Sequence, residues 1–262
     1  GPRPICFAST IDAEGNRNLS PFSFFIVGSA NPPVLIFSPA RRGRTNTTKN
    51  THDNVKEVAE VVINVVTSDM VLQMGLCSSP YPKDVDEFVK SGLTPLESEF
   101  VKPYRVAEAP IQIECKVLEV KELGTEGAAG NLVICEVVCM HIDDAILNES
   151  GQVDQQKIDL VARMGGNWYC RAHGDALFEL NKPLTVAGIG VDQLPESIRL
   201  SSELSGNELG KLGNLAEIPS SEDIDNEIEK LDSHNITLSK AKSLLAEDKA
   251  LAAYAVLTQV YP

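Results

Sequence analysis

Two segments near the start of the chain carry residue types suited to a flat ring with a phosphate tail. The first, Asn18-Leu19-Ser20-Pro21-Phe22-Ser23-Phe24-Phe25, reads as a polar turn running into an aromatic strand. The second runs from Ser38 to Thr51 and holds four cations (Arg41, Arg42, Arg44 and Lys49), several hydroxyls and no acid. In a protein of formal net charge -14, such a local excess of positive charge needs a reason, and a bound phosphate is a good one. Hydroxyls and Gly43 between the cations make a loop able to wrap an anion with charge-assisted hydrogen bonds. Asn50 or Thr51 can cap a helix running to about Ala59, which adds N–H groups and a positive dipole end. The competing reading is a solvated basic loop, and the capped helix behind it tips the balance toward phosphate.

Asn18, Ser20 and Ser23 suit the other end of such a ligand. A flavin has a polar pyrimidine edge that needs donors and acceptors, and an apolar dimethylbenzene end that Phe22, Phe24 and Phe25 can surround. By composition alone, a capped turn before a core strand explains the same residues. A third segment, Arg163-Met164-Gly165-Gly166-Asn167-Trp168-Tyr169, offers close backbone approach at its glycines and stacking at its Trp and Tyr. A Gly-Gly turn before a core strand explains it equally well.

Other chemistry has little support. His52, His141, His173 and His234 show no metal-ligand spacing, although His52 lies beside the basic loop and could touch phosphate. There is no GxSxG and no nucleophile-base pair. Asp143-Asp144 sits at a strand end and reads as a turn. No catalytic side chain is assigned.

The elements that must position these residues fall into two textures. Residues 4–180 read as mostly β, with strands at Ile5–Thr10, Phe22–Gly28, Val34–Ser38, Val61–Val66, Ile111–Lys121 and Leu132–His141. Short connections dominate, Ser68–Leu76 reads as a helix, and Gly124 to Gly130 is a hairpin loop. A barrel is favoured over a sandwich. Beyond Pro183 the pattern is helical, with starts at Pro195, Ser205 and Ser221, an apolar stripe at Ile224, Ile228 and Leu231, and one helix from Ser239 to about Gln259. The division is therefore a β domain over 1–182 and a helical extension over 183–262.

Composition bounds the function. The chain has 262 residues, 43% hydrophobic and 23% charged, enough for one sizeable core and an appendage. No apolar run approaches the roughly 20 residues of a membrane span. The negative charge argues against general nucleic-acid binding, and from Asp192 onward there are 13 acids against 6 bases. Six cysteines lie mostly in strand-like sequence without zinc spacing. Cys135 and Cys139, if both lie on one strand, are roughly 13 Å apart, too far for a disulfide. Reduced thiols in a cytoplasmic protein are expected. No signal peptide is visible, but Gly1-Pro2-Arg3-Pro4 leads almost directly into a strand, so the native start can lie upstream.

An ordered series of short motifs is more specific than any one of these features. Pro2-Arg3-Pro4-Ile5, Ser9-Thr10, Asn18 to Phe25, Pro32-Pro33, Phe37-Ser38, Lys49-Asn50-Thr51, Asn54 and Asn64-Val65 resemble the flavin reductase-like family. The similarity continues through Pro80-Tyr81-Pro82, Asp86-Glu87-Phe88, Gly92-Leu93, Glu108-Ala109-Pro110 and Gly165-Gly166, covering roughly residues 2–175. The resemblance implies a mainly β, Greek-key FMN-binding split barrel, a homodimer, and FMN near the dimer interface. It implies cofactor-binding roles for Asn18, Leu19, Ser20, Pro21 and Ser23 beside the ring. It places Ser38, Arg41, Lys49, Asn50 and Thr51 at the phosphate. Many relatives carry Lys-Asp-Thr where this chain has Lys49-Asn50-Thr51; Asn can still cap the helix, so FMN binding is expected to survive.

The expected activity is that of an NAD(P)H-dependent flavin reductase, in which NADH or NADPH passes hydride to flavin N5 and a free flavin or partner protein accepts the electrons. The alternatives are an electron carrier like flavoredoxin, reduced by a partner protein, and a non-redox FMN-binding module.

Overall fold

The computed structural model describes residues 1–180, 186–231 and 236–262. The chain divides into two compact units, 1–178 and 179–262. The boundary expected at 182/183, and His234, lie outside the described residues.

The first unit is built on seven antiparallel strands. They are β1 (Cys6–Ile11), β2 (Arg17–Phe22), β3 (Phe25–Ala30), β4 (Pro33–Phe37), β5 (Glu60–Val65), β8 (Ile111–Glu122) and β9 (Asn131–Ile142). Between β5 and β8 come the two-residue strands β6 (Pro95–Leu96) and β7 (Arg105–Val106), paired with each other, and after β9 the hairpin β10 (Leu160–Arg163) and β11 (Tyr169–Ala172). The seven strands run in the order β2-β1-β5-β8-β9-β4-β3. First and sixth in that order, β2 and β4 nevertheless meet inside: the Phe22 and Phe37 rings lie 5.7 Å apart. The sheet therefore rolls around one apolar interior that also takes Cys6, Val61, Ile63, Cys115, Val133 and Cys135. Its end strands are joined through Ser23-Phe24 rather than by a ladder, which makes a barrel with one open seam.

Most strand expectations stand within one or two residues. One differs in kind. Asn18 to Phe22 is not a turn but the edge strand β2, paired with β1 from Arg17↔Ile11 to Phe22↔Cys6. Pro21 is accommodated opposite Phe7 because an edge strand tolerates a residue without an N–H, its outer side needing no ladder. The break comes at Ser23-Phe24, inside the strand expected over Phe22–Gly28; Phe22 ends β2 and the next strand starts at Phe25.

Three short helices pack on this unit: α1 (Asn50–Glu57), α2 (Val71–Leu76) and α3 (Glu87–Ser91). A second apolar cluster, with Phe7, Leu19, Met70, Met74 and Phe88 at its centre, joins α2 and α3 to the outer face of β1 and β2.

The second unit is helical: α4 (Glu196–Arg199), α5 (Gly206–Gly213), α6 (Ser221–Glu229), α7 (Leu238–Ala246) and α8 (Ala250–Val260). Ser205 and Ser220 close capping boxes with Glu208 and Asp223. The single helix expected from Ser239 to Gln259 is two. It breaks at Glu247-Asp248-Lys249, where Asp248 takes φ +55° and the Lys249 N–H turns back to the Leu244 carbonyl. Propensity reads the Ala/Leu content as continuous; the break lets α7 and α8 fold against each other and bury Leu244, Leu245, Ala253 and Leu257. Ile224, Ile228 and Leu231 pack against that core as the stripe predicts.

Candidate functional site

The edge strand β2, the start of α1, the end of α2 and the β10–β11 hairpin surround a cleft with two compartments. The larger, about 570 Å³, is lined by Ile5, Pro21, Phe22 and Ser23, by Lys49, by Met74, Gly75 and Ser78, and by Arg163, Asn167 and Tyr169. The smaller, about 150 Å³, is lined by Asn18, Ser20, Arg42, Lys49, Asn50 and Thr51 on one side and by Ser78 to Tyr81 and Glu87 on the other. Lys49 and Ser78 belong to both, so the compartments adjoin. The larger falls within the range of small-molecule sites, and the smaller is polar and cationic.

Strand alternation sorts the β2 residues. Leu19 is fully buried in the outer core, and its N–H donates to Glu87 Oε2 at 3.0 Å. Asn18 and Ser20, flanking it, line the small compartment. The Asn18 amide donates to the Thr51 hydroxyl at 3.0 Å, which ties β2 to the first turn of α1. No side chain caps α1: Lys49 stands at the cap position, and Asn50 and Thr51 are already helical. The expected capping role of Asn50 or Thr51 is thereby corrected, since both side chains are turned to the cleft instead.

Lys49 dominates the electrostatics. Its ammonium lies 5.0 Å from the Phe22 ring centroid and has no acidic partner among the described residues. Burial, and then the charge of Arg42, lower its pKa from the ordinary lysine value. Arg42 is anchored by donating to the Thr48 carbonyl. Two neighbouring cations that make no ion pair among the described residues form a site that an anion stabilises. Facing them is Glu87, whose carboxyl is pushed up to about 7, mainly by burial and partly offset by the Leu19 N–H.

The structure brings together seven of the ten expected cofactor-binding residues: Asn18, Ser20, Pro21, Ser23, Lys49, Asn50 and Thr51. Three lie off the cleft. Leu19 is core, for the reason given. The Ser38 hydroxyl is occupied by the Asn131 N–H at 3.0 Å. Arg41 turns into its own loop, with Nε donating to Asn46 Oδ1 at 2.7 Å; its neighbour Arg42 takes the place at the cleft. His52 does not reach the small compartment either: it is buried, held by Asp53 at 3.0 Å and 3.4 Å from Glu122.

From the third segment, Arg163, Asn167 and Tyr169 line the larger compartment, with Arg163 stacked 4.8 Å over the Tyr169 ring. Trp168, by contrast, is exposed. Met74, Gly75, Ser78 and Glu87 were not singled out by residue type. The motifs Pro80-Tyr81-Pro82 and Asp86-Glu87-Phe88 mark this stretch in the sequence without assigning it to the site.

A model of the flavin reductase-like domain matches residues 1–157. A protein of Aquifex aeolicus is 37% identical over 174 residues, covering 66% of this chain and 86% of its own. Nitrilotriacetate monooxygenase component B from Bacillus cereus superposes with a TM-score of 0.63 at 29% identity, over 69% of this chain and 88% of that one. A split-barrel protein of Shewanella frigidimarina, described as a candidate flavin reductase, gives 0.60 at 30% identity, over 70% and 87%. The rolled sheet with its open seam is thus a split barrel, and the chain belongs to the flavin reductase-like family.

Proposed function

We propose that this chain is an FMN-binding oxidoreductase, a flavin reductase that draws on NADH or NADPH and works as a homodimer. Lys49 is the observation that supports this most. It is a half-buried cation with no carboxylate partner among the described residues, at the junction of a polar compartment sized for a phosphate and a larger cleft sized for a ring.

In this reading Lys49 and Arg42 hold the phosphate by charge, and the Thr51 hydroxyl and Asn18 amide orient it. Phe22, Pro21 and Tyr169 wall the ring and exclude water, while Ser23 and Asn167 meet its polar edge. When bound, FMN supplies the two-electron redox chemistry between the nicotinamide donor and a free-flavin or protein acceptor. The chain's own task is to position and desolvate, so a side-chain acid or base is not needed.

A homodimer accords with the apolar residues Phe24, Ile26 and Val27, exposed at and beside the edge strand β3. All six cysteines are free, the usual state in a cytoplasmic protein. Among the described residues no helix is long and apolar enough to cross a membrane.

The test is a visible spectrum of the purified protein with FMN, recorded before and after anaerobic NADH and then NADPH. Rapid bleaching identifies a reductase and its donor. Bound flavin that ignores both points to an electron carrier fed by a partner protein, and no bound flavin overturns the reading.

A further inference from the structure

A second group of chemistry-bearing side chains lies on β8 and β9, apart from the cleft. Glu114 pairs directly across the ladder with Cys139, and His141 follows two residues on, so all three side chains share one face of the sheet. The alternate residues Val138, Met140 and Ile142 are exposed on the other face. Glu114 is fully buried. Its Oε1 accepts from the Glu99 N–H at 2.9 Å and lies 2.7 Å from His141 Nε2, and its Oε2 accepts from the Phe100 N–H at 2.7 Å. Cys139 Sγ is 3.6 Å from the same imidazole nitrogen. One ligand atom from each residue falls within 4.8 Å of the others.

We propose that Glu114, Cys139 and His141 form a zinc site, with water in the fourth position. A tetrahedral ion with a thiolate at about 2.3 Å and an imidazole at about 2.0 Å separates sulfur and nitrogen by roughly 3.5 Å. The observed 3.6 Å already matches. Only the Glu114–His141 contact must open, by roughly half an ångström, to admit the metal between oxygen and nitrogen.

The surroundings are those of a supported ligand set. Two main-chain N–H groups fix the Glu114 carboxylate. Glu99 Oε1 lies 3.9 Å from His141 Nδ1, where it can hold the ring with its proton on Nδ1 and leave Nε2 free for the metal. Binding then releases the Cys139 thiol proton to solvent and forms bonds to sulfur, nitrogen and oxygen without any change of oxidation state. Thiolate, imidazole and carboxylate together suit zinc better than calcium or magnesium. The other acidic group, Asp12, Glu14 and Glu57, offers oxygens alone and already holds the Lys83 ammonium, 3.1 Å from Asp12.

The experiment titrates chelator-treated full-length protein with Zn²⁺ against a chromophoric chelator, and in parallel with Co²⁺. One zinc per chain, proton release, and intense tetrahedral cobalt bands to the red of flavin absorption are expected. Cys139→Ser and His141→Gln should each weaken zinc binding at least tenfold, while Glu57→Gln leaves it unchanged. Equal affinity in wild type and both variants, weak octahedral cobalt bands, or no binding at all would overturn the site and leave Glu114 and His141 as a structural hydrogen-bonded pair. Should one variant not fold, the wild-type cobalt spectrum decides alone.

Discussion

The side-chain amide of Asn18 donates to the hydroxyl of Thr51 at 3.0 Å, joining two segments 33 residues apart in the chain. This bond makes the edge strand β2 and the first turn of α1 one surface. Thr51→Val keeps the shape and removes the hydroxyl, leaving the buried Asn18 amide without that partner. FMN affinity is expected to fall about 5- to 30-fold, equivalent to 1–2 kcal/mol. Titration of the flavin absorbance checks it, and unchanged affinity would remove Thr51 from the phosphate site.

Lys49 faces both compartments, so its contribution can be divided by ligand. In Lys49→Met the affinity for FMN should drop at least tenfold, while that for riboflavin, which lacks the phosphate, should change little. Equal losses for both would assign Lys49 to the ring instead. Measuring the two ligands side by side on one preparation separates the cases.

Glu87 gives the cleft a pH dependence with a definite sign. Its folded pKa, about 7, is raised above the ordinary carboxyl value of 4.5. Between those values the folded state holds a proton that the unfolded chain has lost, so stability falls as pH rises across the window and stays low above it. Glu87→Gln retains an acceptor for the Leu19 N–H and removes the charge. It should stabilise the protein at pH 8 by about 1–2 kcal/mol, allowing for water that reaches the carboxyl through the cleft, and by little at pH 4. Thermal melts at the two pH values decide it. Flavin binding should tighten in the same variant at pH 8, because an anion no longer faces the phosphate.

Gly75 lies in α2 at the wall of the cleft, with open space where a Cβ would stand. Gly75→Ala should therefore raise the stability of the flavin-free protein by about 0.5–1 kcal/mol, as at an ordinary helical glycine. Gly75→Val should instead lower flavin affinity by filling the ring compartment. Melting temperatures of the free proteins and flavin titrations separate the two effects.

Much of this architecture was legible in the residues, and the failures share a cause. The long strands β8 and β9, the hairpin at Gly124 to Gly130 and the stripe of Ile224, Ile228 and Leu231 all announce themselves by local pattern. Asn18, Lys49 and Thr51 were visible as polar residues bracketing an aromatic strand. What local pattern does not encode is which of two adjacent residues faces a site. Arg41 and Arg42 are indistinguishable by type, and only the hydrogen bonds to Asn46 and Thr48 separate them. Glu87 and Met74 reach the cleft because α2 and α3 fold back over β2, a placement set by the apolar cluster around Phe7 and Phe88. Asp248 breaks a helix that propensity alone would continue, for the sake of packing that appears only once both halves are folded.

The bare start of α1 carries a consequence for the whole first unit. Helices α5 and α6 satisfy their opening N–H groups with their own serine side chains, whereas α1 opens on Lys49 and satisfies none that way. A phosphate seated in the small compartment would occupy the place those serines fill elsewhere. The ligand would then complete a piece of secondary structure as well as occupy a cleft, and its loss would be felt as fraying. Amide hydrogen exchange in the first turn of α1 should accordingly slow more than elsewhere in the barrel when FMN is added.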